Sequence, residues 1–408
     1  MHNNLRIVSI NAVSYGSTGN IMRGIAKAAE SSIDAECYTF YGNWKNCPND
    51  YKGGQRFGYR LENAICGTIS RITGLYYIGH VFGTASLLSK IKRINPDIIH
   101  LHNLHLWVIN VPMLFSYIKK HNIPVVWTFH DCWPITGHCT HFTIVKCDKW
   151  KTGCSHCPIY REYPTSYIDQ SSTLWKWKKR WFSNVKQMSI VTPSRWLSEL
   201  VKESFLKDYS VTTIHNGINL EIFRPYLNSF RERHKIDAQF VVLGVASNWS
   251  YRKGLDVFIE LSKRLTSDYQ IVLVGTDHII DKFVPNNIIS IHKTQNQQEL
   301  AEIYSAADVF VNPTREENFP TVNMEALACG SPVITFNTGG SPEVIDDTCG
   351  SVIACNDIDA MEKEIIRITH EASFSEADCI KRAQAFNENS LYSEYVMLYE
   401  HLCSEKKD

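Results

Sequence analysis

Short apolar runs rich in Val and Ile alternate with longer amphipathic stretches along most of the chain, the pattern of parallel strands covered by helices. In the first half these runs predict strands at 5–11, 35–41, 97–101, 124–129 and 188–191, with helices around 19–31, 83–94 and 108–120. In the second half the cadence is cleaner: strands are predicted at 240–246, 270–275, 288–291, 308–312 and 332–336, with helices between them. An α/β fold of two doubly wound domains is the economical reading. Their junction falls between Val211 and Arg231, where Asn216-Gly217 marks a turn and Arg224-Pro225 an extended break. Residues 1–212 are expected to form the first domain, 213–388 the second, and 389–408 a closing helix carrying Leu391, Tyr395, Leu398, Tyr399 and Leu402 at helical spacing.

A length of 408 residues suits two domains with sizeable cores. With 42 basic against 42 acidic side chains there is no net field to draw in nucleic acid, so a nucleic-acid partner is not expected. The first ten residues hold only Arg6 as a basic group and no long apolar run, and no later stretch nears about 18 uninterrupted apolar residues. Neither an export signal nor a membrane span is expected, which points to the cytoplasm. The thirteen cysteines are then expected to be reduced.

The richest stretch is Thr314-Arg-Glu-Glu-Asn-Phe-Pro-Thr-Val-Asn-Met-Glu-Ala-Leu-Ala-Cys-Gly-Ser-Pro332, which follows a predicted strand and reads as a loop entering a helix. Asn318 suits the cap, Pro320 the first helical position, and Gly330 with Pro332 the stop. The first turn presents amides at the carboxyl end of a parallel strand, where they favour a phosphate. Glu317 on the loop and Glu325 within the helix can accept hydrogen bonds from the hydroxyls of two ends of one ligand. Alone, two such glutamates would merely complement the helix dipole. They are not alone: the strand at 240–246 ends in Ser247-Asn-Trp-Ser-Tyr-Arg-Lys-Gly254, so Arg252 and Lys253 can neutralise the charge of a departing diphosphate.

Together these residues resemble retaining glycosyltransferases of the GT-B fold, family 4 (glycosyl transferases group 1). Glu317-x7-Glu325 in its Glu-Asn-Phe-Pro…Glu-Ala-Leu-Ala-Cys-Gly-Ser-Pro setting is similar to that family's hallmark. The segments Asn216-Gly-Ile-Asn219…Phe223-Arg-Pro225, Lys253-Gly254, Thr338-Gly-Gly-Ser-Pro-Glu343 and the Gly16-Ser-Thr-Gly19 turn resemble its other motifs. The resemblance implies two Rossmann-like domains facing a cleft, with transfer of a sugar from a nucleotide-sugar donor on the second domain to a glycan or lipid-linked acceptor on the first. It implies catalytic roles for His130, Glu317, Lys253 and Arg252, with Glu317 on the donor sugar and Lys253 on the diphosphate. Donor binding would use Gly16, Lys253, Asn318, Phe319, Pro320 and Thr321, with Glu325 on the ribose. One departure stands out: Ser247 and Asn248 lie where the family often has a further Arg, and Arg252 would replace that charge. His130, after the strand at 124–129, matches a functional His of the family, whereas His100, His102 and His105 read first as packing residues. Asp357-Ile-Asp359 reads as a helix cap rather than a metal site.

The implied chemistry needs no cofactor, because fixed Lys/Arg charge and helix-end amides can stabilise the leaving group. Synthesis of bacterial capsule, exopolysaccharide or lipopolysaccharide is the implied setting, at the inner face of the cell membrane. A non-catalytic nucleotide-sugar or glycan-binding module, or a nucleotide-sugar epimerase of the same fold, are the alternatives. Two features lie outside the resemblance. Cys139, Cys147, Cys154 and Cys157 can hold one structural zinc or can simply be reduced thiols. Leu174-Trp-Lys-Trp-Lys-Lys-Arg-Trp-Phe182 offers Trp175, Trp177 and Trp181 with basic groups, either as a core-facing aromatic stripe or as a peripheral contact with anionic lipid.

Overall fold

The structure, a computed structural model, describes residues 4–42, 54–105, 107–227, 229–236 and 238–404. It contains two parallel sheets. The first comprises β1 (Arg6–Asn11), β2 (Glu36–Gly42), β3 (Gly54–Phe57), β4 (Ile98–Leu101), β5 (Val125–Thr128), β6 (Met188–Thr192) and β7 (Ser210–Thr213), in the order β3-β2-β1-β4-β5-β6-β7. The second comprises β8 (Phe240–Val245), β9 (Tyr269–Val274), β10 (Ile288–Ile291), β11 (Val309–Asn312), β12 (Val333–Phe336) and β13 (Gly350–Ile353), in the order β10-β9-β8-β11-β12-β13. Central strands such as β4, β5, β6 and β11 are buried along their whole length, because helices cover both faces, and so they read as mostly apolar runs. This is the pair of Rossmann-like domains expected of the GT-B fold.

Each sheet has one place where strand order reverses. In the first, β1 lies between β2 and β4; in the second, β8 pairs with β11 through Val242↔Val309 and Leu243↔Phe310 while β9 flanks its other edge. Loops leaving the carboxyl ends of strands at such a reversal form the usual ligand crevice of an open α/β sheet.

The chain divides into a unit of residues 1–215 with 389–408 and a unit of residues 216–388. The division thus follows His215, a little beyond the expected 212, and the closing helix belongs to the first unit rather than standing apart. That helix, Glu388–Ser404, places Tyr392, Tyr395, Val396, Tyr399 and Leu402 in a core shared with Ile7, Ile25, Val126 and Val191. Tyr399 OH meets His100 Nδ1 at 2.6 Å, and Gly24 is required where Tyr392 crosses, since a Cβ there would lie 2.2 Å from its ring. The strands β3, β7 and β13 and the helix Arg60–Thr73 were not expected from the hydrophobic pattern.

Candidate active site

In the second domain, the loops leaving β8 and β11 carry the expected residues to one place. The β8 loop ends in a single turn, Tyr251–Lys253, followed by Gly254 at φ +76. A Cβ on Gly254 would come 2.5 Å from Pro313 Cγ, so glycine both allows the left-handed turn and lets the loops touch. Lys253 Nζ then donates to Glu317 Oε2 at 2.7 Å, and both side chains are mostly enclosed (19% and 18% exposed). Arg252 stands beside this pair but spends one nitrogen on the loop: Nη1 donates to Glu316 O at 3.2 Å, while Arg315 N donates to Arg252 O at 2.9 Å.

Arg315, which the sequence did not mark, is the brace between the loops. Its buried guanidinium makes a bidentate pair with Asp256 (2.7 and 2.7 Å), donates to Tyr251 O and Asn356 Oδ1, and lies 3.8 Å above the Tyr251 ring. A planar five-donor group can satisfy these partners at once, where a lysine could not. From the other side, Gly340 N donates to Asn318 O at 2.8 Å, and a Cβ on Gly339 (φ +55) would collide with Glu317 O. The Thr338-Gly-Gly340 segment is therefore a backing for residues 317–318.

The helix after this loop runs Thr321–Ala328, one residue later than expected. Pro320 occupies the cap position with extended backbone, and Asn318 is not the cap. Proline fits there because it offers no N–H and its φ of −76 directs the chain into the first turn. The helix stops in a Schellman arrangement, with Ser331 N bonded to Ala326 O and Gly330 N to Leu327 O, as Gly330 at φ +90 permits. Phe319 is buried against Phe386, and its carbonyl accepts from Asn216 Nδ2 at 3.2 Å. Within the helix, Glu325 is half-buried and accepts from Tyr304 OH at 3.1 Å. Burial pushes its carboxyl up to about 7, against the opposing hydrogen bonds of Tyr304 and Thr321.

In the first domain, His130 follows β5. Its Nε2 lies 3.0 Å from His102 Nδ1, with the two rings stacked, and burial brings its imidazole down to about 4. It is therefore a neutral hydrogen-bonding group at physiological pH. His102, read from sequence as a packing residue, is its direct partner. His105 pairs with Asp131 at 2.9 Å and faces Tyr163 OH at 3.2 Å. Gly16, at φ +68, opens the helix Gly16–Ile33 after β1, and it is Gly19 whose missing Cβ lets the first turn lie on Ser14. Gly16 and His130 lie in the first unit; Lys253, Glu317 and Glu325 lie in the second.

Comparison with known families accounts for both units. Residues 228–388 match the glycosyl transferases group 1 family, and residues 55–222 match glycosyltransferase family 4. The chain belongs to these glycosyltransferases. Among relatives, it is 26% identical to the putative colanic acid biosynthesis glycosyl transferase WcaC of Escherichia coli K12, over 76% of this chain and 78% of that one. Two solved structures share the fold. Sucrose-phosphate synthase from Thermosynechococcus elongatus superposes with a TM-score of 0.75 at 18% identity, covering 98% of this chain and 100% of that one. HepE of Anabaena in complex with UDP-glucose gives 0.68 at 13% identity, with coverage of 98% and 100%.

Two further expectations for this glycosyltransferase concern the region after β5. Cys139, Cys147, Cys154 and Cys157 are unpaired thiols lining one cavity of about 20 Å³. Among the described residues, three ligand atoms gather within 4.8 Å of one another at His278, Asp281 and His292 on the second domain, and no three of the cysteine sulfurs do so. The tryptophan-rich segment forms the helix Ser171–Phe182, and here the core-facing reading holds. Trp175 is buried, Trp177 and Trp181 pack partly against the core, and Lys178 is fully buried with Nζ donating to Trp133 O and Thr136 O at 2.8 and 3.0 Å. Trp175 and Lys178 are thus turned inward, while Lys176, Lys179 and Arg180 stay exposed.

Proposed function

We propose that this glycosyltransferase moves a sugar, with retention of anomeric configuration, from a nucleotide-sugar donor held by the second domain to a glycan or lipid-linked acceptor held by the first. Its setting in this reading is bacterial surface polysaccharide synthesis. The observation that carries the proposal is the Lys253–Glu317 contact at the β8/β11 reversal, which joins a cation for the leaving diphosphate to an acceptor for sugar hydroxyls. As the anomeric bond breaks, negative charge grows on the diphosphate, and Lys253 with the amides of the Thr321–Ala328 helix can stabilise it without a catalytic metal. His130, neutral and placed by His102, can bond a sugar hydroxyl. The UDP-glucose complex of HepE and the colanic acid biosynthesis in the WcaC name support the donor class and the setting.

A panel of UDP-, GDP- and dTDP-sugars, read by thermal stabilisation and then by released nucleoside diphosphate, tests the activity. NMR of the product tests retention, and assay in EDTA tests metal independence. Saturable donor binding without released diphosphate would favour a binding module.

Glu325 adds a pH dependence. Its folded-state value of about 7 lies above the ordinary 4.5, so its contribution to stability is full below the unfolded value and is lost as pH rises through the folded one. Urea unfolding midpoints of the wild type are expected to fall between about pH 5 and pH 8 relative to those of Glu325→Gln. A carboxylate that accepts ribose hydroxyls must also shed its proton, so donor binding near neutral pH is expected to release protons, measurable by calorimetry in buffers of different ionisation enthalpy.

The four thiols support one structural zinc. Gly137 N–H already donates to Cys154 Sγ at 3.2 Å, and Lys178, whose burial pushes its amine well below the ordinary lysine value, is drawn back toward the charged form by Cys139 and Cys154, so thiolates there would favour a cation that offsets their charge. Binding would draw the sulfurs to roughly 4 Å spacing. About one zinc per chain is expected by elemental analysis, lost in Cys154→Ser. Purified, folded protein without stoichiometric zinc ends this reading.

A further inference from the structure

The second domain holds a cluster of metal-ligating side chains that the proposed transfer does not use. The connection between β9 and β10 carries His278 and Asp281, and His292 follows β10 directly. Each offers one ligand atom, and the three atoms lie within 4.8 Å of one another. His292 Nε2 stands 2.6 Å from Asp281 Oδ2, while the rings of His278 and His292 meet at 89° with centroids 4.5 Å apart. Eleven residues separate Asp281 from His292, so it is the return of the chain through β10 that brings them together.

Each ligand is held by its surroundings. Asp277 Oδ1 accepts the N–H groups of Ile279 and Ile280 at 2.8 Å each, and Asp277 O accepts from Asp281 N at 2.9 Å, which folds this stretch into one turn around His278 and Asp281. On the other side, β10 pairs with β9 through Ser290↔Leu273 and Ile291↔Val274, and Gly275 N donates to Ile291 O at 2.8 Å, so His292 leaves a fixed strand end. Ser290 Oγ donates to Asp281 Oδ1 at 2.6 Å and lies 2.6 Å from Thr276 Oγ1. One carboxylate oxygen is thus oriented by a hydroxyl and the other is turned to an imidazole, the support a metal-ligating carboxylate needs. The Ser290 hydroxyl and the His292 imidazole hold the Asp281 carboxyl below its ordinary value, so it stands ready as an anion. Lys282 and Lys293 adjoin two of the ligands in the chain, but both are exposed and water screens their charge.

Two imidazole nitrogens and one carboxylate oxygen are the donor set of a zinc-class ion, whereas Mg²⁺ and Ca²⁺ prefer oxygen alone. Around zinc such donors stand roughly 3.3 Å apart, a closure that rotation of the exposed His278 and His292 side chains can supply. We infer that His278, Asp281 and His292 bind one divalent transition-metal ion of the zinc class, which clamps the β9–β10 connection to the end of β10. Water completes the coordination, and the ion takes no part in the departure of the diphosphate.

The test reads binding, so it does not depend on the proposed transfer. The full chain is titrated with Zn²⁺ by calorimetry in millimolar Mg²⁺, as wild type, Cys154→Ser, Asp281→Asn, His278→Ala/His292→Ala and Ser290→Ala. A site of one zinc per chain is expected in wild type and in Cys154→Ser. It should weaken at least about 100-fold in Asp281→Asn and in the double histidine variant, and about tenfold in Ser290→Ala, which keeps all three ligands. Zinc should also raise the melting temperature of Cys154→Ser, which lacks a complete set of four thiols, and leave that of Cys154→Ser/Asp281→Asn unchanged. Unchanged melts in zinc-free buffer would show that the variants stay folded. Uptake that Cys154→Ser abolishes and Asp281→Asn keeps belongs to the thiols and overturns the inference. So does equal affinity in Asp281→Asn, or a site that Mg²⁺ fills as well as Zn²⁺.

Discussion

Lys253→Ala is expected to lower kcat at saturating donor by about 10²–10³-fold, the scale of removing one preorganised electrostatic partner from a transition state. The side chain is mostly enclosed, so water does not readily replace it, and Glu317 already holds it at 2.7 Å. In the proposed function, the ammonium would exchange a carboxylate for a diphosphate whose charge increases as the bond breaks, so its contribution should be larger in the transition state than in the bound donor. The loss should therefore fall more on kcat than on KM, in steady-state assays of released nucleoside diphosphate. Lys253→Arg should recover only part of the activity, because a planar fork is not a point charge. Turnover within about threefold of wild type in Lys253→Ala would remove this residue from the reaction centre.

Arg315→Ala is expected to destabilise the second domain strongly. It strips two loops of their common partner and leaves Asp256, Tyr251 O and Asn356 without their donor. Breaking a fully buried pair costs about 3–5 kcal/mol; Asp256 is 45% exposed and can rehydrate, so about 2–4 kcal/mol is the better expectation. For a domain of this size that lowers the melting temperature by roughly 5–10 °C, visible by calorimetry. Activity should fall as well, because Lys253 and Glu317 sit on the two loops that Arg315 joins. A melting temperature unchanged by the substitution would mean that the loops hold each other without it.

The sequence was most readable where one physical constraint dominated. Buried strands such as β5 and β11 were misjudged by only about a residue, because a strand covered on both faces has little choice of composition, and the edge strand β10, Ile-Ile-Ser-Ile, was predicted at its observed ends. The helix Arg60–Thr73 escaped notice for the opposite reason: its apolar stripe faces outward and its inward face is Asn63, Gly67 and Ser70, so the usual periodicity is inverted. Strand β13 is only four residues long and opens with Gly350-Ser351, so it lacks an apolar run to mark it. In the site, Lys253 and Glu317 were legible because each lies beside a loop-to-helix signal in the sequence. Arg315 was not, since its partner Asp256 is fifty-nine residues away and only the β8/β11 pairing brings them together. Asn318 was misassigned as a cap because an Asn before a Pro normally signals one. Here its carbonyl is claimed by Gly340, and the proline takes the terminal position.

The placement of the last helix bears on how the protein is made. Residues 216–388 contain the whole of the second sheet, so that half can finish folding as soon as it leaves the ribosome. The half synthesised earliest must wait. Until Tyr392, Tyr395 and Tyr399 emerge, the apolar surface over Ile7, Ile25, Val126 and Val191 has no cover and His100 lacks its phenol partner. Synthesis order and completion order are thus reversed, and a premature stop that spares everything but the final turns would injure the oldest part of the nascent chain.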